Sequence, residues 1–211
     1  MNVGANRLPD DMALAACVEA LLSGEPIIIP TDTVYGLAAL ATDEQAVAAL
    51  FELKERSVDL SIVALVAGLS QADELANMTL VSPLVEAHWP GALTVVVPKR
   101  PGCALVVGAD DGTVGLRAPA HPFVRALAQR VGPLAATSAN KSGQPTAETA
   151  QAAAEVFGTA VALVVDGGEL VGQASTVAKV TSGADGPELT VFREGGISTG
   201  TLQATLDRDR T

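Results

Sequence analysis

Apolar positions recur at helical spacing over residues 12–23 and stop at Gly24, which predicts a helix closed by glycine. Residues 26–29 are a short β-branched run, read as a buried strand that meets a polar turn at 30–33. Thr42, Asp43 and Glu44 precede the Ala-rich stretch 45–54 and predict a capped helix with acidic residues in its first turn. Strands are expected at 62–66, 93–97, 114–117, 133–137 and 162–165, and helices at 70–76, 82–88, 121–131 and 146–157. Pro122 suits a helix start, where its missing N–H costs nothing. A polar loop follows at 138–145 and a turn at 166–168. Two last strands, 176–180 and 188–193, are expected to pair across the 182–186 turn. Residues 199–211 read as a charged, weakly helical tail. This alternation of helices and strands predicts an α/β fold, one domain built on a mixed sheet, with no repeat and no linker.

Composition narrows the function classes. Hydrophobic residues make up 48% of the 211 and charged residues 18%, as in a globular chain. No apolar run reaches the length of a membrane span, and residues 1–11 carry no secretory pattern. Cys17 and Cys103 are far apart and outside any ligand spacing, so two free thiols and a cytoplasmic setting are expected. Thirteen Lys and Arg stand against 24 Asp and Glu, a net charge of −11. A protein that holds a polyanion presents a basic stripe, and here the longest basic run is Lys99-Arg100. One Trp, one Tyr and four Phe leave little aromatic surface for stacking bases. Tight direct RNA binding is disfavoured, while a local pocket for one nucleotide stays open.

Candidate chemistry gathers at strand ends. In residues 30–37, Thr31, Asp32 and Thr33 crowd the turn after a buried strand, where open α/β sheets bind ligands; a self-capping turn fits equally. Lys54 and Arg56 end a helix, where cations are favoured without any site, yet extended residues past Lys54 can bring Arg56 back to the same pocket. Arg117 at a strand end offers a fork for carboxylate or phosphate, or for a structural salt bridge. His121 beside it reads as a capping or packing residue. The loop from Ser138 to Gly143 offers hydroxyl, amide and backbone N–H groups to a phosphate or ribose, although an ordinary polar turn fits it as well. Ser175 and Arg193 sit at later strand ends. GxxxxGK[ST], GxGxxG and GxSxG are all absent, and His88 and His121 stand alone, so no metal cluster is expected. Cations, hydroxyls and amides suit positioning and charge stabilisation in phosphoryl-type chemistry.

Taken together, several segments resemble the YrdC/Sua5 family of threonylcarbamoyl-AMP synthases across about 12–197. They are 30–37, Lys54-Glu55-Arg56, Trp89-Pro90-Gly91-Ala92-Leu93-Thr94, Leu116-Arg117-Ala118-Pro119, Ser138-Ala139-Asn140 with Ser142-Gly143, Ser175-Thr176-Val177 and Arg193-Glu194-Gly195. The resemblance is to the short YrdC (TsaC) form. It implies a single YrdC-like domain over 1–211, a twisted mixed β-sheet flanked by helices around a concave nucleotide pocket. It also implies condensation of L-threonine, bicarbonate or CO2, and ATP into threonylcarbamoyl-AMP and pyrophosphate. A t6A transferase complex would then pass the product to adenosine 37 of tRNA.

By the same resemblance, Thr33, Arg117, Ser138 and Ser175 would hold threonine, with Arg117 on its carboxylate. Lys54, Arg56, Thr113, Asn140 and Arg193 would hold ATP, with Lys54 and Arg56 catalytic. Mg2+ would ride on the ATP phosphates without a protein cage. The chain departs from the family pattern at Ser57, Leu60, Ser61 and Leu65, where Leu60 would remove a phosphate-side polar contact. The alternatives are a nucleotide- or RNA-binding paralogue with weak or altered synthase activity, or a carbamoyl-adenylate site like that of hydrogenase-maturation proteins. The last would need a carbamoyl-phosphate-handling domain.

Overall fold

The computed structural model describes residues 11–209 apart from 58 and 185. The reading of residues 1–10 as free of a leader, Asp185 in the last turn, and the final two tail residues lie outside that range. Nine strands form one sheet in the order β7-β1-β2-β6-β3-β5-β4-β8-β9. They are β1 (Ile27–Ile29), β2 (Gly36–Leu40), β3 (Val63–Leu65), β4 (Leu93–Pro98), β5 (Thr113–Arg117), β6 (Leu134–Ser138), β7 (Leu163–Val164), β8 (Thr176–Gly183) and β9 (Gly186–Arg193). The sheet is mixed as expected: β1/β7, β3/β5 and β4/β8 run parallel and the other neighbours antiparallel.

Successive side chains of a strand point to opposite faces, and each face has its own core. On one, Ile27, Ile29, Ala38 and Leu134 pack with Leu14, Cys17 and Leu21 of α1 (Asp11–Leu22) and Phe123, Val124 and Leu127 of α5 (Pro122–Val131). On the other, Ile28, Leu37, Ala64, Leu116 and Ala178 pack with α2 (Glu44–Lys54), α4 (Ser82–His88), α6 (Ala150–Phe157) and α7 (Thr199–Asp209). The short α3 (Leu69–Leu75) adds Ala72 to this second core. Cys17 and Cys103 are free thiols, and burial pushes the Cys17 thiol up to about 11.

Three local outcomes differ from the sequence pattern. Gly36–Leu40 was not read as a strand, yet it is β2, paired with β1 (Ile27↔Ala38) and β6 (Gly36↔Ser138). Helix α6 starts at Ala150 and not at 146, because the Thr149 hydroxyl accepts from the Ala152 amide and caps it there. Residues 199–209 form α7, which buries Leu202 and Leu206.

Candidate active site

Helices α1 and α5 leave part of their face of the sheet open. The side chains that point there are short (Gly36, Val63, Gly115, Ala136), and above them opens a cavity of about 410 Å³. Its walls include Thr33, Arg56, Arg117, Ser138, Ser175 and Arg193. That volume is in the usual range for a ligand site. It brings together residues separated by up to 160 positions of chain, because their strands end side by side.

Residues 30–35 are the loop of the β1–β2 hairpin. Thr31 Oγ1 donates to Val34 O (2.6 Å) and accepts the amides of Thr33 and Val34, which fixes the loop. The Thr31 and Thr33 hydroxyl oxygens lie 2.9 Å apart. Arg117 donates to Thr33 Oγ1 (2.9 Å), which holds that hydroxyl on the cavity wall.

Arg117, at the end of β5, is 5% exposed and fully engaged on three sides. It donates to Gly91 O (2.9 Å), Thr33 Oγ1 (2.9 Å) and Asp32 Oδ1 (2.7 Å). Burial lowers its pKa, with Asp32 acting in the opposite direction. The sequence offered Arg117 no local acid; Asp32, brought over by the hairpin loop, is its counterion.

Lys54 and Arg56 leave α2 through Glu55, which is left-handed (φ 56°) and carries Arg56 round to the cavity wall. Lys54 is buried, and its ammonium donates to Ser138 O (2.8 Å), Asn140 O (2.8 Å) and Asn140 Oδ1 (3.0 Å). All three protons are thereby used on the 138–140 turn. Burial and the neighbouring Arg56 lower the Lys54 pKa to about 8. Asn140 is equally saturated: its amide donates to Lys141 O and Gln144 O, and its oxygen also accepts from Ser138 Oγ (2.6 Å). Neither Lys54 nor Asn140 lines the cavity, so both act on it through Ser138, which presents an acceptor.

Among the described residues, Arg56 and Arg193 are the lining cations with no salt-bridged acid. Arg56 donates to Ser61 O and keeps a buried Nε with no partner; Arg193 donates to Ser175 O from Nε and from a terminal nitrogen. Burial lowers the pKa of both, and Arg193 lowers that of Arg56 further. Paired cations without a carboxylate form a site for a multiply charged anion. Ser175 Oγ shares a proton with Thr94 Oγ1 at 2.8 Å.

Other candidates fall at or beyond the rim. Thr113 shares a face of β5 with Gly115 and Arg117, but it lies past the lined volume and donates to Asp111 (2.6 Å). Leu60 is 53% exposed and does not line the cavity, whereas Ser61 and Leu65 do. Ser57 bonds Asp59 on the surface. His121 sits at the α5 N-cap without capping it; it is buried, both ring nitrogens lack a partner, and burial lowers its pKa.

Reading by sequence missed the supports. The Tyr35 hydroxyl donates to Gly168 O (2.7 Å) and accepts from the Gly167 amide, tying down the segment that leads to Ser175. Gly172 in that segment rests on Thr33, where an added Cβ would collide with the Thr33 carbonyl oxygen. Among the described residues no group of three or more His, Cys, Asp or Glu could hold a metal, and no helix is long and apolar enough to cross a membrane.

The Sua5_yciO_yrdC family profile, described as telomere recombination, matches residues 19–195. A Mycobacterium tuberculosis relative is 37% identical over 199 residues, 93% of this chain and 90% of its own. The threonylcarbamoyl-AMP synthase of Bacillus subtilis is 35% identical over 202 residues, 93% of this chain but 57% of its own. Pyrococcus abyssi Sua5, solved in complex with L-threonine, superposes with a TM-score of 0.87 at 31% identity, covering 97% of this chain and 60% of that one. This chain thus spans less than two thirds of those two longer relatives. Fold, site and sequence agree in one conclusion: the chain belongs to the Sua5/YciO/YrdC family.

Proposed function

We propose that this protein is a threonylcarbamoyl-AMP synthase, condensing L-threonine, bicarbonate or CO2, and ATP into threonylcarbamoyl-AMP and pyrophosphate. The observation that carries the reading is that one 410 Å³ cavity is lined by two kinds of group. One set is the hydroxyls of Thr33 and Ser138 with the Arg117 fork. The other is Arg56 and Arg193, two cations with no salt-bridged carboxylate among the described residues.

An amino acid matches the first set. Its N–H groups meet Thr33 and Ser138, and its carboxylate takes N–H groups of Arg117 not already committed. The amine then attacks CO2, forming the N–C bond and releasing a proton. The resulting carbamate oxygen attacks the α-phosphorus of ATP, and the bond from that phosphorus to the α,β-bridging oxygen breaks, so that pyrophosphate leaves with that oxygen. Arg56 and Arg193 hold the triphosphate and stabilise the departing charge. Ser175 lines the same cavity, Thr113 is the outermost contact offered to the nucleotide, and Lys54 and Asn140 hold the 138–140 turn in place.

Mg2+ would ride on the ATP phosphates, since among the described residues no group of three or more His, Cys, Asp or Glu could hold a metal. The described chain works as a single domain in this reading, α7 included. Its product passes in the cytoplasm to a t6A transferase complex that handles the tRNA, in keeping with the net charge of −11.

Pyrophosphate release from ATP tests the proposal. It is expected only when threonine and bicarbonate are both present. Release without an amino acid, or equal release with any amino acid, overturns it.

A further inference from the structure

A second hollow of about 150 Å³ opens between α4 and α5, lined by Val85, Trp89, Pro90 and Ala118 together with the half-buried Arg125 and the exposed Glu86. A cavity of that size admits a benzene-sized guest. Arg125 stands near the N-terminal end of α5, the positive end of the helix, where a cation is disfavoured. Its Nε is buried and has no hydrogen-bond partner. Among the described residues, no ion pair reaches the Arg125 guanidinium, Glu86 included. A half-buried fork of donors, unpaired and adversely placed on its helix, beside a small apolar hollow, is the arrangement that an anionic guest would relieve.

We propose that this hollow is a second binding site, for a small carboxylate with a short apolar body. The carboxylate lies on the Arg125 fork, and the body packs against Trp89, Val85 and Ala118. A plain carboxylic acid and a small amino acid share this chemistry, and the exposed Glu86 would add a contact for the ammonium of the latter.

The hollow backs onto the large cavity. Gly91 donates to Ala118 O (2.8 Å) and accepts from Arg117 Nε (2.9 Å). Pro90 and Ala118, which flank these contacts, are both walls of the hollow. An occupant therefore bears on the seat of Arg117 and changes the affinity of the large cavity for threonine. This coupling rests on the proposed function; the binding site does not.

Trp89 is the one tryptophan of the chain, so its fluorescence reports on the hollow directly. Propionate and L-alanine are each titrated against sodium chloride of equal ionic strength. The expected result is a saturable change in Trp89 emission, kept in Arg117→Lys, which weakens the carboxylate seat of the large cavity, and weakened at least tenfold in Arg125→Gln. Tighter binding of L-alanine than of propionate, lost in Glu86→Gln, identifies an amino acid as the occupant; the reverse order identifies a plain acid. Because the Arg125 guanidinium has no ion pair to lose among the described residues, Arg125→Gln should melt no lower than the parent, and the probes should stabilise the parent but not Arg125→Gln. The proposal is overturned if neither probe gives a saturable change, if Arg125→Gln responds like the parent, or if Arg117→Lys abolishes the response. Binding without any change in threonine affinity would overturn the coupling and leave the site.

Discussion

Arg117 and Asp32, 85 positions apart in the chain, meet at 2.7 Å with side-chain exposures of 6% and 17%. The pair fixes the β1–β2 hairpin loop against the end of β5 and aims the Arg117 fork before any ligand arrives. A pre-aimed donor loses less freedom on binding than a mobile one. Structure and recognition therefore depend on the same contact.

For that reason Arg117→Lys is expected to lower both threonine affinity and thermal stability. Lysine keeps the charge but cannot serve Gly91, Thr33 and Asp32 together. Asp32→Asn, which leaves a buried cation uncompensated, should cost on the order of 3 kcal/mol of stability. Calorimetric threonine affinity and melting temperature on the same preparations check this. An Arg117→Lys protein that melts like the parent would remove the structural half of the account.

Gly172 offers a smaller perturbation. A methyl there runs into the Thr33 carbonyl oxygen, so Gly172→Ala must displace either the hairpin loop or the segment carrying Ala174 and Ser175. We expect KM for threonine to rise about tenfold or more, as a misplaced contact group would cause, with little loss of helical signal. Unchanged kinetics would show that the two segments separate freely.

The parts that were legible in sequence are those with a local signature. Asp43 caps α2 as its position suggested, accepting from Gln45 and Ala46. The hydroxyl and Arg motifs at strand ends were found because polar groups stand out after apolar runs. Strand β2 was not legible, since Gly-Leu-Ala-Ala-Leu has neither alternation nor β-branched residues, and it is buried on both faces. The Asp32–Arg117 pair and the Tyr35 tether to Gly167 and Gly168 were not legible either. Both are long-range contacts, fixed by the strand order and not by spacing.

Position 60 tests the rim. An exposed lysine at the mouth of a solvated cavity adds a screened charge worth ~0–1 kcal/mol. Leu60→Lys is thus expected to change ATP affinity by less than about fivefold and threonine affinity not at all. A larger gain in ATP affinity, by calorimetry, would mean that the triphosphate extends over the rim and past Ser61.

Lys54 gives the sharpest pH dependence. Its charged form donates three hydrogen bonds that hold Ser138 and Asn140, and its pKa stands at about 8 because burial and Arg56 disfavour that charge. Above pH 8 the neutral amine keeps two donors and no charge, and the 138–140 turn loosens. The profile of kcat/KM for threonine, which reports the free enzyme, should therefore fall above pH 8. Folding stability moves the other way. Between about 8 and the ordinary 10.5 the unfolded chain holds the Lys54 proton and the native chain does not, so this group's contribution to stability rises with pH. Lys54→Met should abolish both trends and lower kcat/KM below pH 8 by about tenfold or more, the value of a lost charge-assisted bond. The amine of threonine titrates alike with parent and variant, so the difference between their profiles isolates Lys54. If the alkaline fall persists unchanged in Lys54→Met, the titrating group is another one, and Lys54 is not the brace that holds Ser138.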